Sequence, residues 1–327
     1  MIPIQRFGTL PDGSDVDSFT LKTSTGLSAT LLSYGATLQS FCLPDGTDIV
    51  LGFDNLDGYL APHPYFGAAI GRVANRIEKA RFPLDGQSIS VSANENENTL
   101  HSGPVGFDRV NWEGQVDGSS VVFRHVSPDG FQGYPGNVTA EFRYTLEKNG
   151  LRLDMSAKTD APTPISLTGH SYFNLGGGGV SQHFLTTEAT HFFETDGQGI
   201  NHGKTRPLKA SDFKFGAPTK IGSTEIDHHF DVPGAGVRPM VTLSSPDGMR
   251  HLKILSDLPG LQIYTGHKLG QIKGKRQNPY TNGAGIAFEP QFPPNIVNLP
   301  ALGDIILRPG QSWAFTILYK IENLNAA

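Results

Sequence analysis

The chain has 327 residues, 37% of them hydrophobic and 17% charged, with a formal net charge of -5. That length and apolar share suffice for a sizeable core, while an acidic balance without any basic block gives no electrostatic attraction to nucleic acid or to an anionic membrane surface. A single cysteine, Cys42, excludes an intramolecular disulfide; the start of the chain lacks the features of a signal peptide and no run reaches the roughly 18 apolar residues of a membrane span, so a soluble, cytoplasmic protein is expected.

Turn-forming pairs recur from end to end: Asp12-Gly13, Asp45-Gly46, Asp85-Gly86, Asp117-Gly118, Asp129-Gly130, Asn149-Gly150, Asp247-Gly248 and Asn282-Gly283. Such pairs suit the left-handed backbone angles of tight turns. Between them the chain alternates apolar and polar residues. Residues 18–33 read this way and predict half-buried strand. The stretch "GRVANRI" (71–77) then gathers Arg72, Asn75 and Arg76, and "NTLHSGPVGFDRVNWE" (98–113) places His101 after a short apolar step. Residues 119–125 alternate again. In 138–157, Val138, Ala140, Phe142, Tyr144 and Leu146 point one way, "EKNG" turns the chain, and Leu151, Leu153, Met155 and Ala157 point to the same core. That is a hairpin of period two.

"TPISLTGHSYFNLGGGG" (163–179) follows, in which an apolar run reaches His170 and ends in four glycines. The glycines do not form a phosphate loop, since no G-K-[ST] follows and no helix opens there. "EIDHHFD" (225–231) sets Asp227 among two histidines. Adjacent strand residues face opposite ways, so His228 and His229 do not share an ion, and no metal site is expected. Residues 241–243, 261–265, 285–289 and 312–319 read as further strands. No segment holds a 3.6-residue apolar period for three turns. The whole predicts one all-β domain over residues 1–327, a large antiparallel β-sandwich.

Two side chains stand out chemically. The apolar run before Glu289 places its carboxyl at a desolvated strand end, where burial raises its pKa toward that of a general base. The other reading is a solvated or salt-bridged strand-end glutamate. His170 titrates in the neutral range and can carry a proton, or it can be a packed structural histidine.

Seven stretches, in order, resemble the aldose 1-epimerase (galactose mutarotase) family: "PYFGAAIGRVANRI", "FPLDGQ", "NTLHSGPVGFDRVNWE", "GHSYFNL", "IDHHF", "GLQIYTG" and "EPQFPPNIVN", spread over residues 64–298. The resemblance implies a large antiparallel β-supersandwich and the interconversion of sugar anomers by ring opening and reclosure. It implies Glu289 as general base and His170 as general acid, with Asn75, Arg76, His101, Asp227 and Gln262 on the sugar hydroxyls. Trp112, Phe173 or Tyr172 either offers an apolar wall to a sugar face or, as is commoner for such side chains, packs in the core. No cofactor or metal is implied; the partner is a free monosaccharide, and the protein a monomer or homodimer. The chain departs from the family pattern at Gly169, Ser102 and Pro290, which puts the shape of the pocket in question. A glycoside hydrolase using Glu289 with Asp227, a sugar-phosphate epimerase using Arg72 and Arg76 as its cations, and a non-catalytic sugar-binding sandwich are the alternatives.

Overall fold

Seven of the eight turn glycines take left-handed angles, with φ between 61° at Gly118 and 87° at Gly13. Gly150 is the exception. It pairs with Glu147 across the hairpin and begins the second strand, where a Cβ would lie 2.4 Å from the Tyr319 carbonyl oxygen, so glycine serves close strand packing there. The computed structural model describes residues 2–322.

Every strand ladder is antiparallel. A nine-stranded sheet is built on the Val138–Glu147 and Gly150–Thr159 hairpin, with Trp313–Glu322 beside it. A six-stranded sheet runs through Tyr172–Phe173, Ile286–Gln291, Gly260–Tyr264, Asp227–Asp231, His191–Thr195 and Asn201–Pro207. The two bury one core between them. Phe142, Met155 and Tyr319 of the first meet Phe173, Phe230, Ile263 and Phe288 of the second, and a four-stranded sheet adds Phe19, Leu31 and Phe41. This is the antiparallel β-supersandwich. Its one α-helix among the described residues, Leu56–Leu60, has five residues. No helix there is long and apolar enough to cross a membrane.

Three strand expectations need correction. Residues 18–33 form two strands, Asp15–Lys22 and Ser28–Leu32, because Thr23 Oγ1 accepts the Leu27 N–H at 3.1 Å and closes a turn between them. The strand expected over 285–289 runs over Ile286–Gln291, and all six of its residues are buried, one face in the core and the other under loops. Glu289 therefore lies within its strand, not at its end. His170 ends no long strand either; it stands between the two-residue pieces Thr168–Gly169 and Tyr172–Phe173. The four glycines beyond it pack near Arg250, Pro246, Gln182 and Gly283, and Gly176, Gly178 and Gly179 line a separate groove of about 800 Å³ with Lys275.

Candidate active site

Alternation along Ile286–Gln291 sends Ile286 and Phe288 into the core, so Ala287 and Glu289 face the other way. Directly paired residues in a ladder share a face. Glu289 pairs with Gln262, and Ala287 pairs with both Tyr172 and Tyr264, the latter paired with Asp227. One face of the six-stranded sheet thus presents Tyr172, Asp227, Gln262, Tyr264 and Glu289 together. Gln262 Nε2 donates to Asp227 Oδ1 at 2.8 Å and holds that carboxylate in place. Gln262 is buried beside Glu289, and its Oε1 has no partner in the protein.

Loops build the opposite wall. The His170 backbone is fixed on both sides, its N–H donating to Ala68 and its carbonyl accepting the Gly67 N–H. That places Nε2 3.4 Å from Glu289 Oε1, with both side chains buried. The Tyr172 ring stacks on the His170 ring at 5.2 Å. Asn75 and His101, at φ 65° and 52°, clasp each other: the His101 N–H donates to the Asn75 carbonyl at 3.2 Å, and the Asn75 N–H donates to His101 Nδ1 at 3.1 Å. The His101 ring then sits 5.2 Å from that of His170. Arg76 donates through Nε and Nη2 to the two carboxylate oxygens of Glu95, at 2.5 and 2.8 Å. The walls enclose about 280 Å³, near the small end of ligand pockets, with Lys268 exposed at the rim.

Burial controls the protonation of the central pair. Desolvation, reinforced by Asp227, pushes the Glu289 carboxyl well above the usual range, against the pull of Arg76. Desolvation also holds His170 far below the ordinary imidazole value. Both groups therefore favour their uncharged forms, and together they hold one exchangeable proton. Burial likewise keeps His101 neutral, and because its Nδ1 accepts the Asn75 N–H, its proton lies on Nε2. The ligand atoms of His101, His170 and Glu289 fall within 4.8 Å of one another, a spacing that fits a small cation. A His101 ring protonated on Nε2 offers a donor there instead of a lone pair, which suits a hydroxyl oxygen better than a metal.

The site brings together Asn75, Arg76, His101, His170, Tyr172, Asp227 and Glu289 around one cavity. It also includes Tyr65, Glu95, Tyr264 and Lys268, which sequence reasoning passed over. Tyr264 carried a usable signal, being two residues beyond Gln262 on the same strand face. Tyr65 and Glu95 lie in loops and carried none. Trp112 and Phe173 are core residues. Among the departures, none lines the cavity. A Cβ at Gly169 would meet Tyr319 Oη at 3.1 Å, and Ser102 Oγ accepts the Val73 N–H at 2.7 Å. Arg72 is buried away from the pocket, donating to Ser127 and to the carbonyls of Pro128 and Pro135.

Comparison with known proteins shows the family and the fold. The family model described as aldose 1-epimerase matches residues 17–320. The chain is 37% identical to galactose mutarotase of Bos taurus, covering 98% of this chain and 99% of that one. It is 36% identical to galactose mutarotase of Homo sapiens, covering 97% of each. The crystal structure of an aldose epimerase homologue from C. elegans superposes with a TM-score of 0.88 at 29% identity, over 94% of this chain and all of that one.

Proposed function

This chain belongs to the aldose 1-epimerase family, and we propose that Glu289 is the general base and His170 the general acid with which it acts on a free aldose such as galactose or glucose. The enzyme is an isomerase that interconverts α and β anomers of a sugar. The observation that carries the assignment is the buried 3.4 Å contact between His170 Nε2 and Glu289 Oε1 in a cavity the size of one monosaccharide.

The reaction requires two proton transfers at neighbouring oxygens. Glu289, as carboxylate, takes the proton of the C1 hydroxyl, and His170, as imidazolium, gives its Nε2 proton to the ring oxygen. The C1–O5 bond breaks and C1 becomes an aldehyde, leaving Glu289 protonated and His170 neutral. Rotation about C1–C2 presents the other face, and reclosure returns both protons. The two oxygens hang on the same carbon, so an acid and base side by side address both. The charged pair and the uncharged pair differ only in where one proton resides. Burial favours the uncharged pair at rest, so the charged pair that opens the ring forms by transfer of that one proton from Glu289 to His170 with the sugar bound.

Around that centre, His101 Nε2 and the remaining N–H groups of Arg76 donate to hydroxyls, Asp227 accepts from them, and Tyr172 backs the His170 ring. Arg72, spent on backbone carbonyls, is no use to a phosphorylated sugar.

Polarimetry of freshly dissolved α-D-galactose and α-D-glucose near pH 7 tests the assignment. The wild type should relax the rotation faster than solvent, and Glu289→Gln should return it to about the solvent rate. A Glu289→Gln variant retaining wild-type rates would remove the glutamate from the mechanism.

A further inference from the structure

Arg76 is held from two directions. Glu95 takes its Nε and Nη2 donors at 2.5 and 2.8 Å. Against the guanidinium lies Gly199, at φ 75°, where a Cβ would come within 3.1 Å of Arg76 Cζ. The loop carrying Gly199 is tied to the Glu95 turn, because Asn98 Nδ2 donates to Gln198 Oε1 at 3.2 Å. Glu95 itself occupies a turn closed by reciprocal backbone bonds with Asn98. The charge of Arg76, a mostly buried side chain, is therefore answered before any ligand arrives.

The remaining charges on the cavity wall tell the same way. Asp227 and Glu289 are carboxyl groups, Arg72 is committed elsewhere, and Lys268 is exposed at the rim with its charge in water. A sugar hydroxyl can still take the free N–H groups of Arg76. An anionic substituent would have to share that guanidinium with Glu95 and sit opposite Asp227.

We propose that Glu95 is the specificity-determining residue that restricts this pocket to uncharged sugars and turns away those bearing a carboxylate or phosphate. The inference rests on the pocket being that of an aldose 1-epimerase with the roles given above. Selectivity here is a difference of affinities, produced by a fixed charge placed against the wrong ligand. Removing that charge leaves a partly buried, unpaired guanidinium, which an anion then satisfies.

The test compares D-galactose with D-galacturonate, which differ only in carrying a hydroxymethyl or a carboxylate group at C5. Anomer exchange is followed by NMR and binding by calorimetry, in wild type, Glu95→Gln and Glu95→Asp. The wild type should prefer galactose by on the order of 10²-fold, as expected for like charges in a half-buried site. Glu95→Gln should narrow that ratio by about 10-fold or more, chiefly through KM and Kd for galacturonate, and Glu95→Asp, which keeps the charge, should hold it. Equal handling of both sugars by the wild type overturns the proposal, even if Glu95→Gln does not fold. So does a ratio unchanged in a folded Glu95→Gln. Failure of the wild type to accelerate any neutral aldose refutes the catalytic reading instead, and the calorimetric ratios still decide the selectivity.

Discussion

The two walls of the pocket are made differently. The sheet wall is regular backbone, and Glu289, Gln262, Tyr264 and Asp227 share a face because strand pairing leaves them no other. The loop wall is irregular: Tyr65, Asn75, His101 and Ser102 all hold left-handed angles, at φ 59°, 65°, 52° and 74°. Non-glycine residues in that region cost on the order of 1–3 kcal/mol each and persist only where surrounding bonds over-determine them. Here the Asn75–His101 clasp, the Ser102–Val73 bond and the Arg76–Glu95 pair supply those bonds. The base is thus fixed by the fold, and the groups that grip the sugar are fixed by local hydrogen bonding. Changes at the reacting pair should act on kcat, and changes at the groups that hold the hydroxyls, Asp227 on the sheet wall and Asn75, Arg76 and His101 on the loop wall, should act on KM.

The strongest way to break that division is at its seam, where His170 meets Glu289. Glu289→Gln and His170→Asn should each lower kcat by about 10²–10⁴-fold, the usual contribution of one positioned acid or base. Because the two hold one proton between them, the double variant should be scarcely slower than either single one. Stopped-flow polarimetry at saturating sugar measures this, and additive losses would mean the groups act independently.

The same contrast explains what could be read from the sequence. Strand alternation and the turn pairs carried the fold class, the 138–157 hairpin and the face of Gln262. Glu289 was legible as a buried carboxyl, though its strand runs two residues further than the apolar run before it suggests. Resemblance to the family, more than any local pattern, pointed to His101, Asn75 and Asp227. Glu95 was not legible, because nothing in an Asn- and Glu-rich turn announces that it returns to Arg76 across 19 residues. Gln262 was expected to touch sugar; one N–H of its Nε2 is held by Asp227, and its Oε1 has no partner in the protein. Gln262→Ala should therefore act through that carboxylate, raising KM by about 10-fold with kcat nearly unchanged, as loss of one hydrogen bond to a charged group implies. An equal fall in kcat would place Gln262 on the reacting atoms.

The walls also titrate with opposite sign. His170 is pushed down to about 3, so on acidification the unfolded chain takes up a proton that the native protein refuses. Stability should fall as pH drops below about 6.5, by about 1 kcal/mol between pH 7 and 5.5 for this one group. Half-buried His63 and His125, near 4, and buried His229, near 3, add to the slope in the same direction. Glu289 works the other way. Its raised pKa means its contribution is present below the ordinary carboxyl value and lost as pH rises. Glu289→Gln should then be more stable than wild type at pH 7.5 and indistinguishable near pH 4.5, which urea melts at the two pH values resolve. A stability gain independent of pH would mean the substitution relieves packing and not charge.

The smallest effect should come from Ser102→Gly, and it bears on what holds the loop wall. Glycine removes the left-handed penalty of a residue at φ 74°, worth about 1 kcal/mol. It also deletes the Oγ that accepts the buried Val73 N–H at 2.7 Å, which costs about 1–3 kcal/mol for a donor left without a partner. The terms oppose, so stability should fall by about 0–2 kcal/mol. Activity on the aldose should be unchanged, because His101 is held through its own Nδ1 and backbone N–H by Asn75 and not by its neighbour. A KM that rises with Ser102→Gly would show that the serine, and not the clasp, sets the His101 ring. The loop wall would then depend on the one position where this chain replaces a glycine of the family pattern.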